Sequence, residues 1–428
     1  MKETVSIVKR GDRSVEEAVR EAVGLAGGLE DLIRPGSRVL IKPNLFKPAA
    51  SGTGLVTDCR VTEAVARIVL EMGPKSVIIG EGSAAGYDFI GSHSTEESFR
   101  LSGTLDVAER LGVEWRNLNC DEFEEVEVPR PFVMQRMRIA RTALESDVIL
   151  SVPVLKSHQR TLVTLSLKNM KGVLLGAEKR KAHALGLDKA IADLNSVVPP
   201  SYTVVDALAG MEGTWEYPRD RRVTGMILAG RDPAAVDAVG TSLMGFDPAQ
   251  VMHLNYFSMK RSGFPVRLES IRVVGEPLDG SRVRFTRAFE VVQSRYPGVQ
   301  IFEGEAACTG CTGELIGALS AVTHAGSGDA LNGVTVLLGN PDRELLPEQD
   351  GRGAESGGGR ERFGTVVLGK CSRGLAPRGL FVPGCPPRDD AIIRALSRVC
   401  HFDAGPVIED RDGERRRNWS ETEDLLNS

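Results

Sequence analysis

The feature that most narrows the folds open to this chain is an alternation. Short apolar runs rich in β-branched residues take turns with stretches whose apolar residues recur at helical spacing. TVSIVK (4–9) and SRVLIKPN (37–44) are the first two runs, with VEEAVREAVGLAGGL between them. VTEAVARIVLEMG then reads as a helix, KSVIIGEGS as a buried strand, ESFRLSGTLDVAERLG as helical and SDVILSVPVLK as another buried strand. SYTVVDALAG and VTGMILAG add two strands, and DPAAVDAVGTSLMG a helix that starts on Asp-Pro. A parallel step between strands needs a crossover, usually a helix, whereas an antiparallel step does not. The order therefore specifies an α/β fold, a mainly parallel sheet covered by helices on both faces.

The character changes between Glu276 and Gly298, and a smaller α/β unit follows: CTGELIGALSAV as a helix, NGVTVLLG and RFGTVVLGK as strands, RDDAIIRALSRVC as a helix. A chain of 428 residues exceeds one ordinary core. The expected domains are 1–275 and 276–428, with a polar, glycine-rich flexible segment near 341–362. The net charge of −5 argues against nucleic acid and anionic membrane as partners. The N-terminal stretch MKETVSIVKRGDRSVEEAV is charged throughout, and no run approaches the roughly eighteen apolar residues of a membrane span, so a cytoplasmic protein is expected.

In a reducing compartment seven cysteines are not a disulfide framework. Cys308 and Cys311 form C-T-G-C directly ahead of a helix, Cys371 ends a strand in LGKCSRG, and Cys385 sits in PGCPP. A close pair fixes one edge of a metal centre and two distant ligands supply its other corners. Neighbouring glycines let backbone approach such a centre, and helix N-termini favour thiolate over thiol. Zinc and an iron-sulfur cluster would both satisfy these four sulfurs. Cys59, Cys120 and Cys400 read as small packing residues, with Cys59 in VTDCRV following a loop that faces the pocket.

Ligands of open parallel sheets collect at the carboxyl ends of strands. Lys42 and Asn44 follow RVLI, Glu81 follows VIIG, Lys156 and His158 follow VILSVPVL, and Asp206 follows YTVV; Lys168, Asn169 and Lys171 come just downstream in SLKNMKG. Lysines gathered there repel one another unless an anion lies between them, so a carboxylate or phosphate ligand is expected. Lys42, Asn44, Lys168, Asn169 and Lys171 are the candidate substrate-binding residues. Lys156, His158 as proton donor, and Asp206 and Glu212 as base or lysine orienters are the candidate catalytic ones. Each has a plainer alternative: Lys42 snorkels from a strand end, His158 is a surface histidine, Asp206 and Glu212 cap helices or pair with lysines, Asp232 is an N-cap, Asp237 a helix-face partner, and His183 and His253 are structural. No G-x-G-x-x-G or G-x-x-x-x-G-K-[ST] is present to support nicotinamide or ATP binding.

The motifs VLIKPNL, GLVTDCRVTEAV, GEGSA, VPVLKSHQRTLVTLSLKNMKG, IADLN, VVDALAGMEG and LAGRDPAAVDAVGTSLMG occur in this order. Together they resemble the DUF362 family across roughly residues 4 to 265, a family without a settled reaction that is often joined to iron-sulfur modules. The chain departs from it at Cys59, where the family commonly has proline. In overall plan this half is distantly similar to nickel-dependent lactate racemases, with no residues that carry over their nickel-pincer site. CTGCTGELIGAL, GKC and VPGCPPRDDAI resemble the proximal [4Fe-4S] site of nickel-iron hydrogenase small subunits and the related complex I subunit. The complex I subunit has adjacent cysteines where this chain has C-T-G-C. That resemblance implies a [4Fe-4S] cluster on Cys308, Cys311, Cys371 and Cys385. The expected function is an iron-sulfur oxidoreductase passing electrons to or from an anionic small molecule or second cofactor. A ferredoxin-like redox partner and a homodimer are open options. The alternatives are a Lewis-acid hydro-lyase, against which four cysteine ligands weigh, and a non-catalytic electron-transfer subunit.

Overall fold

The computed structural model describes residues 2–84, 87–88, 94–215, 218–304, 306–307, 309–346, 364–384, 387 and 389–409. They form two compact units that divide after Thr286. The residues just before that point belong with the first unit because Val283 N donates to Leu243 O (2.8 Å), Phe285 N donates to Met244 O (2.9 Å) and Phe285 is buried. The division falls inside the segment between Glu276 and Gly298 where the character of the sequence changes.

The first unit holds β1 (Glu3–Lys9), β2 (Arg38–Pro43), β3 (Ser76–Glu81), β4 (Glu114–Asn117), β5 (Phe123–Glu127), β6 (Arg136–Ala140), β7 (Val148–Val152), β8 (Val154–His158), β9 (Leu162–Thr164), β10 (Tyr202–Met211), β11 (Arg221–Gly230) and β12 (Ile271–Gly275). Its main sheet runs β12-β1-β11-β10-β7-β2-β3-β4. Pairing is parallel from β10 to β4 and between β1 and β12; β11 is antiparallel to both neighbours, having followed β10 without a crossover helix.

Strand periodicity sends alternate side chains to opposite faces. Val204 and Ala229 join a core with Val19 and Val23 of the helix Val15–Leu25 and Val65 and Val69 of the helix Cys59–Glu71. Val205 and Leu228 join the other core, beneath the helix Pro233–Leu243. Ser14 and Glu17 close the first of these helices with a capping box, and the Asp232 side chain caps the last by accepting from Ala235 N. Both faces are therefore covered, at about 1.5–3 kcal/mol for each large aliphatic side chain taken from water.

SDVILSVPVLK is two strands. Pro153 has no N–H to donate and divides β7 from β8. Both halves pair with β10, through Tyr202 and Thr203 to β7 and through Asp206 and Met211 to β8. Beyond the break β8 turns back antiparallel into β9. The hairpin β5–β6 has no counterpart in the sequence reading, because Arg136 pairs with Glu125 and Glu127 on an exposed face while Met137 and Ile139 face inward.

The second unit carries β13 (Gln300–Glu303), β14 (Thr335–Leu338), β15 (Thr365–Leu368) and β16 (Leu380–Val382) in that order, all parallel. The helices Thr309–Val322 and Asp389–Cys400 pack Leu315, Leu319, Ile392 and Leu396 against Val336, Leu338, Val366 and Leu368. Most of the segment expected to be flexible, residues 347–363, lies outside the described residues. Among the described residues no helix is long and apolar enough to cross a membrane.

Candidate functional site

The ends of β2, β3 and β7 are laced together by a buried polar network. Lys42 Nζ donates to Glu81 Oε2 at 2.7 Å, with side-chain exposures of 0% and 3%. Glu81 also accepts from Leu45 N (3.3 Å) and Gly82 N (2.9 Å). Asn169 Nδ2 donates to Lys42 O and Ser151 Oγ, each at 3.0 Å, and its Oδ1 accepts from Asn44 Nδ2 at 3.0 Å. Gly172 of the KNMKG stretch lies directly on the ion pair, where a Cβ would overlap both the Glu81 carboxylate and the Lys42 ammonium. Lys42 and Asn169 thus act inside the protein, and removing one partner of such a pair costs roughly 3–5 kcal/mol.

Four further lysines surround this network. Lys156 Nζ donates to Asn44 Oδ1 (2.7 Å) and Leu55 O (2.8 Å) and stands 4.0 Å from the Phe46 ring centroid and 4.9 Å from that of Trp215. Lys168 Nζ donates to Thr164 Oγ1 at 3.1 Å, and Thr164 is the cross-strand partner of Lys156. Lys171 Nζ lies 2.7 Å from His183 Nε2. Lys179 donates to Gly82 O, Ser83 O and Asn119 Oδ1 at 2.6, 2.8 and 2.6 Å. Among the described residues the lysine ion pairs are Lys42–Glu81, Lys181–Glu178 and Lys260–Asp193, so none of these four has a carboxylate. Burial lowers Lys156 far below the ordinary lysine range, helped by repulsion from Lys168 and Lys47. Burial brings Lys168 down to about 7 against the pull of Asp188, and Lys179 to about 7 against that of Glu81. Lys171 is lowered by burial and then by Lys168 and Arg160.

His158 shares a face of β8 with Lys156, two residues along. Its Nδ1 accepts from Arg160 N (3.2 Å) and Thr161 N (3.3 Å), which leaves the proton on Nε2. Burial and then Lys168 keep the ring neutral, so it is a hydrogen-bond donor through Nε2–H rather than a charged acid. Trp215 covers it edge-on at 5.3 Å, held by its Nε1 donating to Ser157 O at 2.9 Å and by a left-handed backbone (φ 63°) that bulky residues rarely adopt.

Asp206 and Glu212 have other partners. Asp206 accepts from Asp58 N (2.7 Å) and Leu208 N (3.0 Å); burial, and then Asp58, push its carboxyl up to about 7. Glu212 accepts from Thr286 N at 2.8 Å and pairs with Arg222. Both hold loops rather than orient a lysine. Asp237 does similar service for the lysines themselves: it accepts from Ser166 N (2.7 Å) and Leu167 N (3.1 Å) and so fixes the start of the segment that carries Lys168, Asn169 and Lys171. Lys179, Phe46, Trp215 and Asn119 escaped the sequence reading. Lys179 sits in GAEKRKAHAL, which reads as a solvated helix face.

In the second unit the expected cysteine loops lie at the carboxyl ends of the parallel strands. Cys311 is buried in the first turn of Thr309–Val322, and Cys371 follows β15. Between them stands Gly369 (φ 86°). A Cβ there would come 2.9 Å from Cys311 Sγ, 3.5 Å from Cys371 Sγ and 3.8 Å from Gly384 O. Lys370 N donates to Gly384 O at 2.8 Å, which ties the Cys371 loop to the PGCPP loop. Asn340 N donates to Ser372 Oγ at 3.1 Å, and Ala306 N to Gly339 O at 2.9 Å, bringing the segment ahead of C-T-G-C onto the end of β14. Cys308 and Cys385 lie outside the described residues. Among the described residues no group of three or more His, Cys, Asp or Glu is placed to hold a metal ion.

Residues 39–242 match the model of a family described as a domain of unknown function, DUF362. That span contains Lys42, Lys156, Lys168, Lys171 and Lys179 and none of the four candidate cysteine ligands. Thylakoid-associated protein sll1697 of Synechocystis sp. is 27% identical over 251 residues, covering 56% of this chain and 72% of that protein. The lactate racemase apoprotein of Thermoanaerobacterium thermosaccharolyticum aligns with a TM-score of 0.39 at 11% identity over 57% of each chain, so this chain spans under two thirds of its length. A Thermotoga maritima protein solved by structural genomics aligns with a TM-score of 0.38 at 13% identity, over 77% of this chain and 71% of its own.

Proposed function

We propose that this chain, which carries a DUF362 domain over residues 39–242, is an iron-sulfur oxidoreductase. A [4Fe-4S] cluster is held by Cys308, Cys311, Cys371 and Cys385, and an anionic small molecule or second cofactor binds among the lysines of the first unit. The observation that carries the reading is Gly369. Its missing side chain leaves room beside two sulfurs from separate loops, with the backbone of a third loop at the same place. The described part of the site fits the group: Cys311 and Cys371 lie on either side of the space at Gly369, and Cys311 stands in the first turn of Thr309–Val322, where the helix N-terminus favours an anion. When bound, a four-cysteine cluster supplies one-electron transfer at a potential set by burial and hydrogen bonding.

In the first unit the residues bind and orient. Among the described residues Lys168 and Lys171 have no carboxylate partner and offer charge to an anion, His158 donates from Nε2, and Asp237 fixes the start of the segment that carries the two lysines. A ferredoxin-like carrier in the cytoplasm is the proposed electron partner. Anaerobic purification with iron and sulfide counts, followed by electron paramagnetic resonance of the dithionite-reduced protein, tests the reading. A brown protein with one cluster signal, lost in Cys371→Ala, supports it. A colourless protein with stoichiometric zinc overturns it.

A further inference from the structure

We propose that Lys156 is a nucleophilic amine whose Nζ condenses with the carbonyl carbon of an oxo acid, the carboxylate of that acid lying on Lys168 and Lys171. The carboxylate half of this proposal rests on the anion-binding reading above; the amine half has its own grounds. Nζ is held by two oxygen acceptors, Asn44 Oδ1 and Leu55 O, which match the two N–H bonds of a neutral amine. Among the described residues no carboxylate pairs with it, Lys168 approaches through the cross-strand residue Thr164, and Phe46 and Trp215 wall it from water. A lysine desolvated beside other cations is the environment that turns an ammonium into a nucleophile, and the lowered basicity of Lys156 agrees with this geometry.

The step balances without a redox partner. The Nζ lone pair forms a bond to the carbonyl carbon as the C–O π bond opens, giving a carbinolamine. The oxygen then leaves as water with two protons that began on Nζ, and C=N replaces C=O. His158, on the same face of β8, contributes its Nε2–H as a hydrogen bond to the oxygen as charge develops there.

The test treats the full chain with pyruvate and cyanoborohydride, which reduces an imine to a stable amine, and maps the adduct by peptide mass spectrometry. Pyruvate binding itself is followed separately by Trp215 fluorescence, with Trp215→Phe as the control. The expected result is one adduct on the Lys156 peptide, with the exposed Lys2 and Lys75 modified about tenfold less, as activation of one amine over solvated ones requires. Lys156→Arg removes the adduct. The double variant Lys168→Met, Lys171→Met weakens labelling by pyruvate but not by acetone, which has the carbonyl without the charge. A fluorescence response with no adduct, or labelling spread evenly over surface lysines, overturns the amine and spares the anion site. Absence of both response and adduct overturns the two together.

Discussion

The two units put their chemistry-bearing side chains in the same place, the carboxyl ends of parallel strands, and hold them in opposite ways. In the first unit the anchors are distant in sequence: Lys156 is fixed by Asn44, 112 residues away, and Asn169 by Lys42, 127 residues away. In the second, Gly369 and Cys371 sit two residues apart on one loop, and a single bond from Lys370 to Gly384 brings the next loop alongside. A site woven from long-range bonds forms only when the sheet forms, and its disruption is felt as lost stability. A site carried on short loops at strand ends can lose a ligand while its sheet stands. The difference sets what mutation should do in each place.

The largest contrast is expected from Cys311→Ala and Cys371→Ala. Each should abolish the cluster signal while phosphate binding by the first unit, measured by calorimetry, stays within about twofold, because the lysine network lies wholly within residues 42–183. Loss of both properties would break the comparison. Next, Glu81→Gln should cost roughly 3–5 kcal/mol in denaturant unfolding of the first unit, since it strands the buried Lys42 ammonium, with no change in iron content of the folded protein. Gly172→Ala should approach the same loss by wedging the pair apart.

The anion site has a proton signature of intermediate size. Lys168 titrates near 7, below the unfolded lysine value, so above about pH 7 it is mostly neutral in the free protein. A bound anion favours its charged form, and binding must therefore take up a proton there. Affinity should fall as pH rises through 7 to 9, by up to about tenfold per pH unit for each proton taken up. Calorimetry in buffers of different ionisation enthalpy should show uptake at pH 8 and almost none at pH 5. The smallest effect is expected from Thr164→Val, which removes the acceptor of Lys168 and should change stability by only about 0.5–1.5 kcal/mol.

The succession of strands and helices was legible because periodicity is a local signal: the alternating apolar runs became β1, β2, β3, β10 and β11 with the helices between them. What escaped depended on distance or on mixed polarity. The partnership of Lys42 with Glu81 joins two strand ends that no motif links, and Lys179 hides in a run of cations that reads as solvated. Asp206 and Glu212 sit where a base could sit, yet loops at strand ends also need acceptors for their amides, and that is the use these two serve. Pro153 was plain in the sequence, but its effect on pairing appears only beside β10.

That proline has a further consequence. By ending β7 it takes the chain away from β2 and into β8, which pairs with β10 and with its own hairpin partner β9, just before the residues proposed to meet a ligand. Residues 154–171 form a hairpin and a short helix that share no strand pairing with β2, yet Leu155, Val163, Leu165 and Leu167 anchor them in the core and Asn169 ties them back to Lys42 and Ser151. Variation there is therefore free only at positions between these anchors, and homologous chains with the same sheet should diverge in ligand first at those positions.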